Sequence, residues 1–237
     1  MSVLCLDLLK ELTFFDLVEQ LGLLAEQCAS GEKKCNEFVK RDVVGTISHL
    51  LKIREEPEMQ RKCLQCLMEL TRHSREAVNK IMNGRCVHQL FDSLEKWAER
   101  SELVHAGAGV IGNLWATKVK DPSHDAKAHR AADILVGGLK KYHSIAKTQH
   151  TITDAMISIL HHSNCGFDVR EKMAKNKVVL IILDNLREHQ KIPAVVSNMF
   201  LLIAHLADGS RLVQQQVQFT TPKTILLLVD IVYVFCH

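Results

Sequence analysis

Residues 105–116 read HAGAGVIGNLWA and end on Gly112-Asn113-Leu114-Trp115, an apolar segment closed around an anchoring leucine. Endings of the same kind stand on both sides: Gly22-Leu23-Leu24-Ala25 and Met68-Glu69-Leu70-Thr71 before it, Ser158-Ile159-Leu160-His161 and Ala204-His205-Leu206-Ala207 after it. From Leu24 to Leu70, Leu114, Leu160 and Leu206 the steps are 46, 44, 46 and 46 residues. A second series, Leu50, Leu90, Leu135 and Ile182, runs 20 to 25 residues ahead of the last four leucines, and Leu228 opens a fifth unit. Two series in register at one period indicate a repeat array, in which each unit buries its apolar face only by stacking on its neighbours.

Within the units the apolar spacing is helical. Leu64, Leu67, Met68 and Thr71 share one face of a helix, as do Val195, Met199, Leu202 and Leu206, and strand alternation is absent. Gly45 and Gly84 are expected between a short and a longer helical segment, Asn176 as a left-handed cap, and Pro222 where a helix cannot continue. Each unit therefore reads as short helix, turn, helix, turn, longer helix, and the chain as all-α.

The period and the three-helix unit resemble the armadillo family and its HEAT relatives. HAGAGVIGNLWA matches the family's third helix, with Asn113-Leu114 on its Asn-Leu, and SREAVNKIMNGRCVHQLFDSL at Ser74–Leu94 is similar to its first two helices, joined at Gly84. The resemblance implies a right-handed superhelical α-solenoid over residues 1–237. It would hold a partial unit at 1–30, full repeats at 31–73, 74–120, 121–164 and 165–208, and an incomplete unit at 209–237. Ser123–Tyr142 carries no Gly, Pro or Asn between its first and second helices, so those two are expected to be fused or HEAT-like, after a polar loop around Lys118–Ser123.

The final unit lacks a third helix, and Leu226–Val229, Ile231, Val232, Val234 and Phe235 give it no polar outer face. The expectation is that another chain, or a second copy forming a homodimer, docks on Leu227, Val232 and Phe235, or that the chain continues past His237. The twelve-residue apolar run Ile225–Cys236, interrupted by Asp230, is too short to span a membrane, which takes about 20 residues, and reads as a core helix. Asp7, Lys10, Glu11, Asp16 and Glu19 punctuate the first thirty residues, so no secretory signal is expected. The expected location is cytoplasmic, with a cytoskeletal or ciliary assembly as the alternative. Eight cysteines in such a chain read as small buried residues kept reduced.

In armadillo superhelices the third helices line a concave groove, and the resemblance carries that groove onto this chain by register. Its lining would be Glu19, Leu23 and Glu26; Gln65, Glu69 and Arg72; Gly109, Asn113 and Ala116; Ala155, Ile159 and His162; and Leu201, His205 and Asp208. One end would be acidic, suited to Lys or Arg of a peptide, and the other apolar around Ile159 and Leu201. Asn113, able to donate and accept at once, would orient the peptide backbone. The Trp and Asn ladder with which the family's nuclear-import adaptors hold basic signals is missing: the Trp positions read Glu19, Gln65, Gly109, Ala155 and Leu201.

Composition excludes other classes. Lys and Arg number 30 and Asp and Glu 27, and the net charge of +3 is too weak to argue for nucleic acid or an anionic membrane. Lys33-Lys34, Lys40-Arg41, Lys118, Lys120 and Lys140-Lys141 are interspersed with acids. Cys63-x-x-Cys66 has no companion pair and sits in a helical pattern, so no metal is expected there. The thirteen histidines, His161-His162 and His124 with His129 included, form no i, i+4 pair and read as scattered. No phosphate-binding loop or nucleophile elbow occurs, and Ala106-Gly107-Ala108-Gly109 reads as close helix packing. Trp97 and Trp115 read as core or rim residues. The expected function is thus a scaffold, not an enzyme, without a cofactor, binding an extended segment or a helix of another protein in the groove. The alternative is a structural subunit docked permanently in a large cytoskeletal or ciliary complex.

Overall fold

A computed structural model describes residues 12–116, 124–163, 165–208 and 210–216. The described residues form twelve α-helices and a further helical turn at 211–216, with no strand among them, in keeping with the 3.6-residue spacing. None of these helices is long and apolar enough to cross a membrane. The expected polar loop at 118–123, Pro222, and the apolar docking residues Leu227, Val232 and Phe235 lie outside the described residues.

The chain divides into two compact units, Met1–Thr117 and Lys118–His237. The first contains α1 (Phe14–Cys28), α2 (Glu32–Lys40), α3 (Val43–Ile53), α4 (Pro57–His73), α5 (Arg75–Asn83), α6 (Cys86–Lys96) and α7 (Ser101–Ala116). The succession short, medium, long occurs twice after α1, and packing follows it: α2 lies on α5, α3 on α6, and α4 between α1 and α7. This layer-on-layer order is that of an armadillo-like solenoid. Leu17, Leu21 and Leu24 of α1, Leu64, Leu67 and Leu70 of α4, and Val110 and Leu114 of α7 fill the core between the third helices. Each such side chain stabilises the stack by about 1.5–3 kcal/mol.

Local chemistry sets the helix starts. Thr13 and Asp16 exchange backbone-to-side-chain bonds of 3.0 and 3.2 Å, a capping box that opens α1. Gly31, at φ 128°, opens α2 in a conformation that side chains resist. Pro57 and Pro193 stand in the first turns of their helices, where a missing N–H costs nothing. Ser74 Oγ accepts from the Ala77 N–H at 3.1 Å and donates to Asn36 Oδ1 at 2.6 Å, so one hydroxyl caps α5 and ties it to the preceding repeat.

The second unit holds α8 (Asp125–Lys141), α9 (Ala146–His162), α10 (Gly166–Lys175), α11 (Val178–His189) and α12 (Pro193–Ala207). The breaker-free stretch is one helix: α8 runs 17 residues without interruption and packs against both α10 and α11, replacing a first and a second helix. The third helices α9 and α12 form the main contact of this unit. Ser210 repeats the role of Ser74, accepting from the Val213 N–H at 3.4 Å and donating to Glu171 Oε1 at 2.5 Å.

Two expected breaks lie elsewhere. Gly45 is inside α3, and the chain turns at Asp42 (φ 58°); Asn176 keeps a negative φ of −77°, and the left-handed residue is Lys177 (φ 57°). Gly84 does separate α5 from α6. The six cysteines described, Cys28, Cys35, Cys63, Cys66, Cys86 and Cys165, are buried free thiols. Burial pushes the Cys63 and Cys66 thiols well above their ordinary range and Cys86 up to about 12. Gly107 meets α6 so closely that a Cβ there would lie 2.3 Å from Leu94 Cδ2, the close packing expected of the small-residue run.

Candidate functional site

Buried amides hold the third helices in place. Gln60, in the first turn of α4, donates from Nε2 to the carbonyls of Leu51 (2.9 Å) and Arg54 (2.5 Å), and its Oε1 accepts from Ser93 Oγ at 2.5 Å. In the second unit Gln149 Nε2 donates to the Leu139 carbonyl at 2.9 Å, while Asn185 Nδ2 donates to that carbonyl (3.1 Å) and to Gln149 Oε1 (3.0 Å). Both glutamines stand three residues into a third helix and join the end of the preceding helix to the next repeat. Apolar periodicity does not single them out; the available signal was a glutamine at the same helical phase near the start of α4 and of α9.

In the first unit the expected groove residues lie on the outer side of α1, α4 and α7. Glu19, Leu23 and Glu26 are exposed, Gln65 and Glu69 half-buried, Arg72 exposed, Gly109 and Asn113 half-buried and Ala116 exposed. Asp16, Glu58 and Glu102 add further carboxylates on these helices, against Arg61, Lys62 and Arg72. Arg61 is engaged with Glu58, and Glu69 Oε2 lies 3.8 Å from His73 Nε2. Asn113 is more committed than expected: its Nδ2 donates to the Met68 carbonyl and to Thr71 Oγ1, both at 3.1 Å, so the amide donor serves the α4–α7 joint.

The second unit departs from the register at α9. Ile159 is 0% exposed and Ala155 1%, so neither presents a surface, and the apolar patch expected around Ile159 is corrected to core. Ile159 and Leu160 both turn inward because α9 is packed by α8, α10 and α12 together. Asp154, Ile157, Ser158, His161 and His162 make up the accessible side instead. On α12 Leu201 is 47% exposed, His205 half-buried and Asp208 exposed.

Histidines therefore dominate this face. The His161 ring lies 4.5 Å from that of His162 and 5.7 Å, edge-on, from that of His205 across the α9–α12 joint. His150 Nδ1 and Asn198 Nδ2 meet at 2.7 Å on the same joint. Burial holds the His205 imidazole below its ordinary pKa, His161 and Arg170 lower it further, and Asp208 opposes them. Among the described residues no group of three or more His, Cys, Asp or Glu could hold a metal ion.

A cavity of about 220 Å³ opens at the ends of α3 and α6, lined by Lys52, Arg54, Glu55, Asp92, Lys96 and Trp97 among others. It lies on second helices, and both charge signs line it.

No family model matches the chain, and no curated protein does. Two solved structures are similar in fold. One, described as computationally designed armadillo repeat proteins for modular peptide recognition, is 15% identical, with 88% of this chain and 83% of that one covered at a TM-score of 0.72. The second, a designed armadillo repeat protein, is 14% identical over 87% and 82% of the two chains, with a TM-score of 0.67. At these identities the likeness establishes the armadillo-like repeat fold.

Proposed function

We propose that the chain is a protein-interaction scaffold whose third-helix face in the first unit binds an extended, basic segment of another protein. The observation that carries this reading is the set of carboxylates on α1 and α4, Glu19 and Glu26 exposed and Glu69 half-buried, with α4 held to its neighbours by Gln60 and by Asn113 of α7. A peptide with Lys or Arg at alternate positions gains several modest ion pairs there while its backbone runs across the helices. The peptide recognition described for the first designed protein supports the same use of the fold. Exposed ion pairs contribute about 0.2–1 kcal/mol each, so affinity accumulates across the set.

The test is binding of a fluorescent hexalysine peptide to the full chain at low salt, beside a Glu19→Gln, Glu26→Gln, Glu69→Gln variant. Three pairs at that strength predict about a tenfold loss of affinity in the variant. Equal binding by both proteins, or none by either, overturns the reading.

A further inference from the structure

We propose that the cavity at the ends of α3 and α6 is a carboxylate-binding site, in which Arg54, Lys52 and Gln89 hold a single acid group on a short stem. The site lies on second helices, so it stands apart from the third-helix face assigned to a basic segment and does not rest on that assignment.

The walls of this cavity of about 220 Å³ are rich in unengaged donors. The Gln60 amide is engaged at both ends, its Nε2 by the Leu51 and Arg54 carbonyls and its Oε1 by Ser93 Oγ. Gln89 Oε1 accepts from Ser48 Oγ at 2.8 Å, while Gln89 Nε2 has no acceptor among the described residues. The Arg54 guanidinium makes no hydrogen bond or ion pair among them either, and its Nε is buried without a partner. Such a donor loses water and regains no bond. Arg54 is itself half-buried and lines the cavity, so a group entering it meets the guanidinium. Lys52, exposed on the same wall, also has no ion pair among the described residues. Lys96 differs: its Nζ lies 2.9 Å from Glu55 Oε1 and 5.6 Å from the centre of the Trp97 ring, so it is engaged and neutralises Glu55.

Charge and size narrow the ligand. Lys52, Arg54 and Lys96 face Glu55 and Asp92 in the lining, which leaves one positive charge in excess, the complement of one carboxylate. An ionised carboxylate only accepts, so it uses the unengaged donors and brings none of its own. Its two oxygens match the planar guanidinium fork. The cavity is smaller than the about 300–1,000 Å³ of sites for drug-sized ligands, which suits one acid group on a short stem beside the Trp97 ring. That group is carried alike by an Asp or Glu side chain of another protein and by a small free acid.

The experiment follows the Trp97 indole and Gln89 side-chain amide resonances of the full chain by NMR at about pH 7, where carboxylates are ionised. N-acetylglutamate amide, N-acetylglutamine amide, propionate and inorganic phosphate are titrated separately. N-acetylglutamate amide should shift both resonances to saturation and leave the indole of Trp115, which is outside the cavity lining, unmoved. Arg54→Gln is expected to weaken binding about tenfold, the loss of one charge-assisted hydrogen bond. Arg54→Lys, which keeps the charge and loses the fork, should weaken it less. Gln60 bonds the Arg54 main chain, so both variants should keep the Gln60 amide resonances in place. Tighter binding of N-acetylglutamate amide than of propionate assigns the site to a protein side chain, and equal binding assigns it to a free acid; either supports a carboxylate site. An unmoved Trp97 resonance, equal binding of N-acetylglutamine amide, phosphate bound more tightly than both carboxylates, or undiminished binding by Arg54→Gln overturns the proposal. The comparison of the glutamate and glutamine compounds uses the wild-type chain alone, so it decides the matter even if a variant fails to fold.

Discussion

The first unit joins its repeats through three matched layers, whereas the second joins them through one long helix and a pair of third helices. In the first, α2, α3 and α4 each meet their counterparts α5, α6 and α7, and the third-helix joint is closed by neutral amide and hydroxyl groups, Asn113 on Thr71 and on the Met68 carbonyl. In the second, α8 does the work of two helices, and His150 and His161 bring titratable rings into the joint against Asn198 and His205. Both units use a buried glutamine at the start of a third helix, so the difference lies at the joint between third helices. The repeat period sets which helices meet, while the side chains at the joint decide whether that meeting responds to protons.

The largest contrast is expected where the two registers part. Ile159→Ala should cost about 2–5 kcal/mol in urea denaturation, because a buried branched side chain leaves a cavity in α9. Leu23→Ala, at the equivalent register but 38% exposed, should cost well under half as much. Equal losses would return Ile159 to the surface. Next come the clamps. Gln60→Leu leaves the Leu51 and Arg54 carbonyls without their side-chain donor, and Gln149→Leu leaves the Asn185 amide without its side-chain acceptor. Each should lose about 1–3 kcal/mol. Hydrogen exchange should report loosening of α3 to α6 in the first case and of α8 to α11 in the second. A loss in one unit only would mean that the clamps are not equivalent.

The smallest effects use one substitution with opposite signs. Gly107→Ala drives a methyl into Leu94 and should destabilise by about 1–3 kcal/mol. Gly137→Ala, inside α8 with open space around it, should stabilise by about 0.5–1 kcal/mol because alanine restricts the unfolded chain and favours helix. Thermal denaturation of the two variants side by side resolves the sign. Destabilisation by both would show that Gly137 is constrained in a way its open surroundings do not reveal.

Much of the fold was legible before any coordinates. The leucine steps marked the repeat period, and the missing breaker between Ser123 and Tyr142 anticipated the single helix α8. The exposure of Glu19 and Glu26 on α1 followed from helical phase. The burial of Ile159 did not, because two adjacent apolar residues on a helix leave the phase ambiguous by about 100°, and only the packing of α8, α10 and α12 on α9 chooses between them. Asn176 suited a left-handed cap by residue type, yet it closes α10 with a negative φ and Lys177, the residue before α11, takes the left-handed conformation.

Local spacing and residue chemistry were enough to specify the helical class, the period and the side chains available to each face. Which polar groups are spent on joints, and which stay accessible, was settled only by the packed repeats. Asn113 gives its donor to α4, Gln60 and Gln149 vanish into the core, and His161 meets His205 from the next repeat. Those outcomes depend on contacts between different helices, from about ten residues to a full repeat apart, which no local pattern encodes.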